Sequence, residues 1–387
     1  MYYSSTIFNQ LLSFIPKQEF KRLVGQHQGD RYTKKMTSWN QLIILMYAQA
    51  TGKDSLRDIE TGLRTCPNVW SHLGIQTVAR TSIARANNTR SYKIFEHLFY
   101  EILKQCKDIT PLRTFSFENP LYSLDATVIN LCLSVFDWAA YRHTKGALKI
   151  HTLMNNQTNI PEVLNITTGK VADITGARFM NIAIPRGSIL VFDRGYVDHG
   201  WWNILDAKGI FFVTRPKRNQ LCIVSGVHAI PSGRVLADER VWLGDITKAH
   251  YPREMRRVRY LSDTGEVYIY VTNNFVLSGA EIALVYKERW RIELFFKWIK
   301  QNLKIKSFLG TTENAVMSQI WIAMIYYLLL SYIKFQTRFP RTLLELSRMV
   351  RETLFTRRSL IDLLSLSPVT VSKLIEPEVV QLRLVGV

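Results

Sequence analysis

Cysteine is scarce in this chain, with four residues in 387 positions, and it never occurs as a CxxC pair. Cys66, Cys106, Cys132 and Cys222 lie far apart, so their spacing indicates neither a zinc knuckle nor a disulfide framework. Such usage is typical of a protein that works in a reducing cytoplasm. The sequence also has no cluster of histidine and cysteine that would offer ligands to a soft metal ion.

Acidic residues are under-represented as well. The chain has 31 aspartates and glutamates against 50 lysines and arginines, so its formal net charge is +19. A charge of this size indicates a polyanionic partner, most often nucleic acid. A membrane surface or an acidic protein would suit the same charge, so composition alone defines only the class of partner.

Low-complexity tracts, sequence repeats and long uninterrupted apolar runs are missing too. The first twenty residues, MYYSSTIFNQLLSFIPKQEF, lack a basic stretch and their apolar run is broken, so no signal peptide is predicted. The most apolar segment, residues 320–335, is interrupted at Ser331 and Lys334 and falls short of the roughly 18 residues that a membrane span needs. We interpret it as a buried core helix. Hydrophobic residues make up 47% of the chain, which is enough for a large globular core.

The N-terminal part of the chain has helical periodicity, and Ser55 is a plausible N-cap of one of its helices. A short helix that begins near Thr81 or Ser82 would carry Arg85. This helix could be the second helix of a DNA-binding helix-turn-helix, whose first side chains reach base edges. A solvated basic helix explains the same pattern, because turn-helix patterns without a fixed glycine are weak signals.

Strand periodicity begins at Leu121 and gives way to alternating helices and strands, which indicates an α/β fold with a mixed sheet and helices on its faces. Between residues 217 and 274 the helical signal disappears, and turn residues at Ser232-Gly233 and Asp263–Gly265 separate short strands. Five segments are therefore predicted: a helical DNA-binding domain (1–118), the first part of the α/β core (119–216), an all-β insertion (217–274), the second part of the core (275–335) and a helical C-terminal tail (336–387).

Two aspartates lie in otherwise apolar strand patterns. Asp125 occurs in YSLDATVI and Asp193 at the end of ILVFD. Burial of an acid is unfavourable unless the acid is paired or binds a metal, and ligand crevices form at strand ends of open α/β sheets. Each aspartate alone also has a structural explanation, since Asp193 could pair with Arg194 and Asp125 could cap a turn.

The segment YKERWRIELFFKWIKQNL places a single line of functional groups on a predicted helix. Tyr286, Arg289, Glu293, Lys297 and Lys300 follow one another at spacings of three, four, four and three, so they would share one helix face. A solvated face, with Glu293 paired to the flanking cations at ~0.2–0.5 kcal/mol per pair, explains the charges. It does not explain the tyrosine or the excess of cations. A metal held by three carboxylates, beside cations that contact a phosphodiester, explains both.

The pattern Y-x2-R-x3-E-x6-K, filled here by Tyr286, Arg289, Glu293 and Lys300, resembles the signature of DDE transposases of bacterial insertion elements, in the group with a β-strand insertion before the last acid. LDATVINLCLSVFDWA and VFDRGY are similar to the family's first-Asp and second-Asp strands. FNQLLSFIPKQEFKRLV and YAQATGKDSLRDIETGL resemble its N-terminal helical domain, so the resemblance covers nearly the whole chain.

This resemblance implies a ribonuclease H-like core whose catalytic and metal-binding triad is Asp125, Asp193 and Glu293. Its expected cofactor is Mg²⁺, for which Mn²⁺ can substitute, as two ions that activate water and stabilise the leaving 3′ oxygen. Asp125 would be shared by both ions. The expected partners are double-stranded DNA, as element ends and as target, and a second copy of the chain in a homodimeric DNA complex. The expected location is the bacterial cytoplasm, in association with the nucleoid and without a membrane.

The DNA-binding residues follow from the same resemblance. Arg289 and Lys300 would hold phosphates near the end of the element, and Tyr286 would hydrogen-bond or stack close by. Lys297 would support them. Trp242, in the insertion, would stack on a base flipped out near the cut, although packing between insertion strands accounts for it equally well.

Two further acids near the core, Asp137 and Asp173, have no assigned role. Glu288, next to the signature, is expected to point away from Glu293. Besides a transposase that binds terminal inverted repeats, cuts DNA and joins the 3′ ends to a target, two alternatives stay open. One is a related metal-dependent DNA nuclease without strand transfer, and the other is a catalytically inactive DNA-binding derivative.

Overall fold

The computed structural model describes residues 5–365 apart from positions 66, 76–77, 143–144, 181, 218, 230–232 and 246–248. Helices occupy both ends of this range, and one mixed sheet lies between them. The end of the predicted C-terminal tail, residues 366–387, and Ser232 of one predicted turn lie outside the described residues.

The first part of the chain is helical, as predicted. Local capping explains where several of these helices begin: Thr37 accepts a hydrogen bond from the Asn40 N–H, and Ser55 accepts one from the Asp58 N–H, which confirms the predicted cap. The helix that carries Arg85 begins earlier than Thr81 or Ser82, so that predicted boundary is wrong. The helices are α1 (Ile7–Ser13), α2 (Lys17–Gln26), α3 (Ser38–Thr51), α4 (Leu56–Thr65), α5 (Pro67–His72), α6 (Arg80–Thr89) and α7 (Lys93–Ile109).

The sheet contains eleven strands in the described part of the chain: β1 (Leu121–Leu131), β2 (Ala140–Arg142), β3 (Lys145–Asn155), β4 (Ile160–Thr168), β5 (Ile189–Phe192), β6 (Phe211–Thr214), β7 (Cys222–Val227), β8 (Val235–Asp245), β9 (Ala249–His250), β10 (Met255–Leu261) and β11 (Val267–Thr272). Their order is β2-β3-β1-β5-β6-β11-β10-β8-β7, with β4 on β3 and β9 on β8. Strands β1, β5 and β6 are parallel, whereas β3 and β4 run as an antiparallel meander beside β1. The predicted mixed α/β architecture is confirmed.

The strands predicted as an insertion continue the same sheet. Strand β11 pairs antiparallel with β6 through Val271 and Thr272, so β7, β8, β10 and β11 extend the sheet edge beyond β6. A buried ion pair fixes this extension to the next helix. Arg256 donates to both carboxylate oxygens of Asp238 at 2.8 and 2.7 Å and also to the Asn274 carbonyl oxygen. The five domain boundaries themselves stay a prediction.

Among the described residues, further α-helices pack on the sheet or follow it: α8 (Asp173–Phe179), α9 (His199–Ala207), α10 (Gly279–Lys287), α11 (Trp290–Asn302), α12 (Glu313–Gln336), α13 (Leu343–Thr353) and α14 (Leu360–Ser365). Helix α12 is long and apolar enough to cross a membrane by length and composition, but 94% of its most apolar window is buried inside the protein. It packs against α3, α6, α7 and α13. The prediction of a core helix is confirmed, although the helix is longer than the apolar segment.

The segment predicted as one continuous helix is two helices. Backbone N–H groups of Arg289, Arg291 and Ile292 bond three residues back rather than four, which breaks the helix between α10 and α11. Distant side chains hold the break, because Asn156 donates to the Glu288 carbonyl oxygen at 2.9 Å and Arg113 donates to the Glu288 carboxylate at 2.8 Å. The predicted continuous helix is therefore wrong, although Tyr286, Arg289 and Glu293 still contact one another in that order across the break. The prediction that Glu288 points away from the third acid agrees with these contacts.

Candidate active site

Asp125 and Asp193 lie side by side because their strands are parallel neighbours. Leu124 of β1 is in register with Phe192 of β5, and the two aspartates follow directly after this pair. Adjacent strands are about 4.8 Å apart, so both carboxyl groups belong to the same small region. Asp193 accepts a hydrogen bond from the Gly195 N–H at 2.8 Å, which caps a short 3₁₀ helix and fixes the carboxylate at the strand end.

Glu293 comes from a helix that follows the insertion strands in the sequence. It lies in the first turn of α11, which packs against β1. Arg289 connects it to the first acid: its Nη1 atom is 3.2 Å from Oδ2 of Asp125, and its Nη2 atom donates to the Glu293 carboxylate. The guanidinium therefore lies between two acids that are remote in sequence.

The pKa of Asp125 depends on the charges of the other two acids. Burial, together with the nearby carboxylates of Asp193 and Glu293, raises the pKa of this carboxyl to about 7. The Ala126 N–H and the Arg289 guanidinium oppose that shift. The acids repel one another, and positive charge between them stabilises their ionised forms.

A phenol whose pKa is affected by Asp125 and Asp193 was missed by sequence reasoning. Tyr196 is fully buried three residues after Asp193, and its hydroxyl forms no hydrogen bond with the part of the chain that the structure describes. Burial, and then the charges of Asp125, Asp173 and Asp193, raise its pKa far above the usual value. The phenol is therefore neutral. A tyrosine three positions after a strand-end aspartate was the available signal.

The side-chain donors of this site suit one class of metal ion. Within the described ranges, no three histidine, cysteine, aspartate or glutamate side chains form a preassembled metal cluster. The chemistry of the donors nevertheless fits a hard divalent cation, because the converging groups are carboxylates and one of them, Asp125, is buried with a raised pKa. Asp125, Asp193 and Glu293 are the residues that would hold such an ion.

The remaining residues of the predicted signature lie at different distances from the acids. Tyr286 ends α10 half-buried, and the Arg289 guanidinium carbon lies 5.7 Å from the centre of its ring. Lys297 is exposed one turn beyond Glu293 on α11. Lys300 is half-buried, and burial followed by the charge of Lys306 lowers its pKa. Seven residues of helix separate it from Glu293, which is about 10 Å along the axis.

Trp242 and Arg85 are not brought to the acids. Trp242 lies on β8 opposite Ile223 of β7, with 38% of its surface exposed. Its neighbour Val241 pairs with Met255, at the start of β10, whereas the other end of β10 faces α10. Met255 and the cleft residue Tyr260 are five positions apart on β10, which is about 17 Å along the strand. Arg85 lies on α6 in the helical N-terminal part, so its predicted role concerns a different surface.

An aromatic cleft lies beside Arg289, and sequence reasoning missed most of it. Its volume is ≈ 530 Å³, and its lining includes Arg215, Tyr260, Tyr268, Tyr270, Tyr286, Lys287, Arg289 and Trp290. Tyr260 and Tyr268 are directly opposite on β10 and β11, and Tyr270 contacts Tyr286 at 5.0 Å between ring centres. The alternating tyrosines of VYIYV were the available signal, since residues two apart on a strand share a face.

The two acids without an assigned role have structural contacts. Asp173 forms an ion pair of 3.0 Å with Lys149, and its other oxygen lies 3.7 Å from where a Cβ on Gly195 would stand. Asp137 accepts a hydrogen bond from the Trp138 N–H.

Comparison with known proteins identifies relatives of both parts of the chain. The family described as Transposase DDE domain matches residues 116–329, which include Asp125, Asp193 and Glu293, and a domain of unknown function (DUF4372) matches residues 3–76. A Sinorhizobium fredii protein named as a transposase is 32% identical, over 72% of this chain and 78% of its own. A Geobacillus stearothermophilus protein named as an insertion-sequence transposase is 29% identical over 68% and 70%. The cryo-EM structure of a piggyBac transposase synaptic complex with hairpin DNA aligns with 98% of this chain and 81% of that chain, at a TM-score of 0.45 and 11% identity.

Proposed function

This chain belongs to the DDE transposases of insertion elements, and we propose that it binds the terminal inverted repeats of its element, cleaves phosphodiesters there and joins the 3′ ends to target DNA. The family predicted from the sequence is confirmed, and membership implies dependence on divalent metal ions. The four-residue signature and the individual site residues stay predictions.

The order and direction of the central strands support a ribonuclease H-like core. An antiparallel meander, β4-β3-β1, continues into parallel β5 and β6, and the three acids come from the first strand, the end of the first parallel neighbour and a later helix. Asp125, Asp193 and Glu293 would hold two Mg²⁺ ions, with Asp125 shared. When bound, the ions supply an activated water and stabilise the leaving 3′ oxygen.

Arg289 is proposed to position the scissile phosphate. Its guanidinium already contacts Asp125 and Glu293, so its fork of donors lies where a phosphate beside these acids has to lie. The Tyr286 ring stabilises the guanidinium through a cation–π contact. Lys300 and Lys297 extend the positive surface along α11 towards neighbouring phosphates.

The aromatic cleft is proposed to hold a nucleotide that has left the duplex next to the cut. A stack of a base on an aromatic side chain contributes about 1–3 kcal/mol, and the cleft offers Tyr260, Tyr268 and Trp290 next to Arg215. Trp242, the residue expected in this role, lies at the far end of the insertion strands. Its exposed ring is better placed to contact DNA outside the active site.

One observation carries the proposal. The Arg289 guanidinium contacts both Asp125 and Glu293, which are 168 positions apart in the sequence, and the charges of Asp193 and Glu293 both act on Asp125. A basic surface alone would suit many DNA-binding proteins. A convergence of acids within so basic a chain suits metal-dependent phosphodiester chemistry. The active complex is proposed to be a homodimer that holds two element ends.

The test incubates purified protein, Mg²⁺ and labelled duplex DNA carrying the element's terminal repeats, with a plasmid as target. We expect both cleaved ends and joined products. Glu293→Gln should lose both by a factor of roughly 10³, since a metal ligand is removed. Asp108→Asn, which removes an exposed acid from α7, is the matched control and should keep both.

Each alternative gives a different result in the same experiment. Cleavage without joined products would identify a nuclease that lacks strand transfer. Specific binding without any cleavage would identify an inactive DNA-binding derivative. Products of normal yield from the Glu293→Gln protein would exclude the three-acid mechanism.

A further inference from the structure

A basic groove lies in the helical N-terminal part, away from the acids. It runs between the loop of residues 27–36 and helix α6, and its volume is ≈ 690 Å³. Its described lining contains no aspartate or glutamate and comprises His27, Gln28, Gly29, Arg31, Tyr32, Thr33, Lys34, Lys35, Met36, Val78, Ser82, Arg85, Ala86, Thr89, Arg90 and Ser91. We call this the N-terminal groove. The whole loop belongs to the region matched by the domain of unknown function, whereas α6 lies after it.

A buried arginine builds one wall of the N-terminal groove. Arg90, which follows α6, is 7% exposed and donates to the carbonyl oxygens of Gly29 and Met36 at 2.8 and 2.6 Å, and to the Gln41 side chain at 2.8 Å. These bonds tie both ends of the loop to α6 and to α3. The loop is therefore held in one conformation before any ligand arrives.

Two further contacts fix the same loop. Asp30 accepts hydrogen bonds from the Ser38 N–H and hydroxyl at 2.6 and 2.8 Å. Gly29 has no room for a side chain, because an added Cβ would lie 2.6 Å from Ile94 and 2.7 Å from the Ser38 hydroxyl. The Asp30 carboxylate also lies 3.6 Å from Nη2 of Arg90, so it offsets the charge of this buried arginine and leaves the exposed cations of the loop unpaired with it.

The side chains that the loop displays are cationic and aromatic. Arg31, Lys34 and Lys35 are exposed on the loop, and Arg85 is exposed on α6 across the groove. Tyr32 is 89% exposed at a left-handed φ of 59°, with the Arg31 guanidinium carbon 5.0 Å from its ring centre. Non-glycine residues with positive φ and large exposed rings are both unfavourable in isolation, so their occurrence in a fixed loop points to a ligand.

We propose that the N-terminal groove binds the phosphodiester backbone of duplex DNA, with Lys34 and Lys35 on one side and Arg85 on the other. This inference rests on the proposed function and names the surface that holds the element end. Arg85 then contacts phosphate from the groove wall. The Arg31–Tyr32 pair offers a flat surface to the adjacent sugar.

Duplex DNA suits this groove better than an anionic membrane does. The cations face one another across a concave surface, whereas a membrane would need them on a flat or convex one. Each phosphate neutralised releases counterions, so binding should depend steeply on salt. The groove is remote from Asp125 and Glu293 and should affect binding rather than the chemical step.

The test compares Lys34→Ala/Lys35→Ala with the full-length wild type by fluorescence anisotropy on a terminal-repeat duplex over a range of salt concentrations. We expect a slope of log affinity against log salt that is smaller by about 2, since two phosphate contacts are lost. Affinity should fall about tenfold or more near 0.15 M salt. Arg85→Ala should lower the slope by about 1.

Matched variants separate this groove from general charge loss. Lys104→Ala/Lys107→Ala removes two exposed lysines from the far half of α7 and should leave the slope unchanged. Lys34→Arg/Lys35→Arg should restore binding, because the charges return. Equal slopes for the groove variant and the wild type, or an equal fall in the α7 control, would overturn the inference.

The outcome distinguishes this inference from the proposed function. If the wild type cleaves and joins ends and the groove variant binds normally, only the inference about the groove is wrong. A wild type that binds with the expected salt slope but never cleaves removes only the proposed chemistry. Binding to vesicles that contain anionic lipid is measured in the same way. If the groove variant loses binding to these vesicles but keeps normal binding to DNA, the inference is also overturned.

Discussion

One arginine lies at the centre of each charged region of this molecule: Arg90, which is buried, in the N-terminal groove and Arg289, which is half-buried, beside the acids. Arg90 is surrounded mainly by carbonyl oxygens, and burial lowers its pKa despite the nearby charge of Asp30. Arg289 contacts two carboxylates, and although burial opposes it, the charges of Tyr286, Asp125 and Glu293 raise its pKa. Neutral oxygens make the hydrogen bonds of Arg90, and its one carboxylate neighbour, Asp30, is 3.6 Å away, whereas both partners of Arg289 are carboxylates.

This difference separates a permanent contact from an exchangeable one. Carbonyl oxygens do not change charge, so Arg90 should hold its loop under all conditions. Under the proposed function, carboxylates that bind a divalent ion would attract the guanidinium less strongly, so Arg289 could then contact phosphate. The net charge of the chain does not reveal this, since both arginines count equally.

The largest expected effect comes from Asp193, the acid held by its own backbone turn. Asp193→Asn keeps the side-chain shape and the hydrogen bond from Gly195, but removes the charge that a metal ion needs. Single-turnover cleavage of terminal-repeat DNA should fall by roughly 10³-fold or more. Affinity measured by anisotropy should stay within about twofold, because phosphate contacts dominate binding. A variant that cleaves at the wild-type rate would remove Asp193 from the chemistry.

Arg289→Lys should have the next largest effect. Lysine keeps the charge but cannot contact Asp125 and Glu293 with a planar fork, so the phosphate would be held in poorer geometry. We expect cleavage to slow by about 10²-fold, as for the loss of one preorganised donor. Arg291→Lys, two residues further on and paired with Glu288, is the control and should change the rate less than about threefold. Similar losses in both variants would indicate a general charge effect.

A smaller effect should follow from Gly195, which packs against the second acid. An added Cβ would lie 2.9 Å from Oδ1 of Asp193, so Gly195→Ala must displace this carboxylate, whereas its distance of 3.7 Å from Oδ2 of Asp173 is an ordinary contact. We expect cleavage to fall about tenfold while the protein stays folded. Gly226→Ala on β7, where no atom lies within 4 Å, should leave cleavage unchanged. A normal rate for Gly195→Ala would mean that the acids tolerate such a shift.

The sequence predicted what local pattern determines. The strand that contains Asp125, the strand that ends just before Asp193 and the N-cap at Ser55 depend on neighbouring residues and are confirmed. Their physical causes lie within a few positions, where periodicity and capping residues can be recognised.

The rest depended on contacts between distant segments. The break before α11 is held by Arg113 and Asn156, which lie more than 130 positions from Glu288, while helical periodicity continues across the break. The aromatic cleft requires the register of β10 and β11, and the position of Trp242 requires the strand order. No pattern within one segment contains this information.

The smallest expected effect is on the pH dependence of stability, and it comes from a buried histidine on β3, the strand next to β1. His151 is fully buried on β3 opposite Ala126, its ring fills the space that a side chain on Gly176 would need, and its Nε2 lies 3.0 Å from the Thr167 hydroxyl. Burial lowers its pKa from 6.5 to about 4, against the charge of Asp173. Between these values the unfolded chain binds a proton that the folded protein does not. Stability contributed by this residue is therefore present above pH 6.5 and lost as pH falls towards 4.

His151→Gln should remove that pH dependence. In urea unfolding at pH 7.5 and pH 5.5, the wild type should lose on the order of 1 kcal/mol more than the variant at the lower pH, since one pH unit corresponds to about 1.4 kcal/mol per proton. Thr167→Val removes the hydroxyl but leaves the ring buried, so this variant should keep the wild-type difference. If His151→Gln and the wild type lose equal stability, the histidine is protonated in the folded state and the helix α8 that packs on it must move to admit the charge.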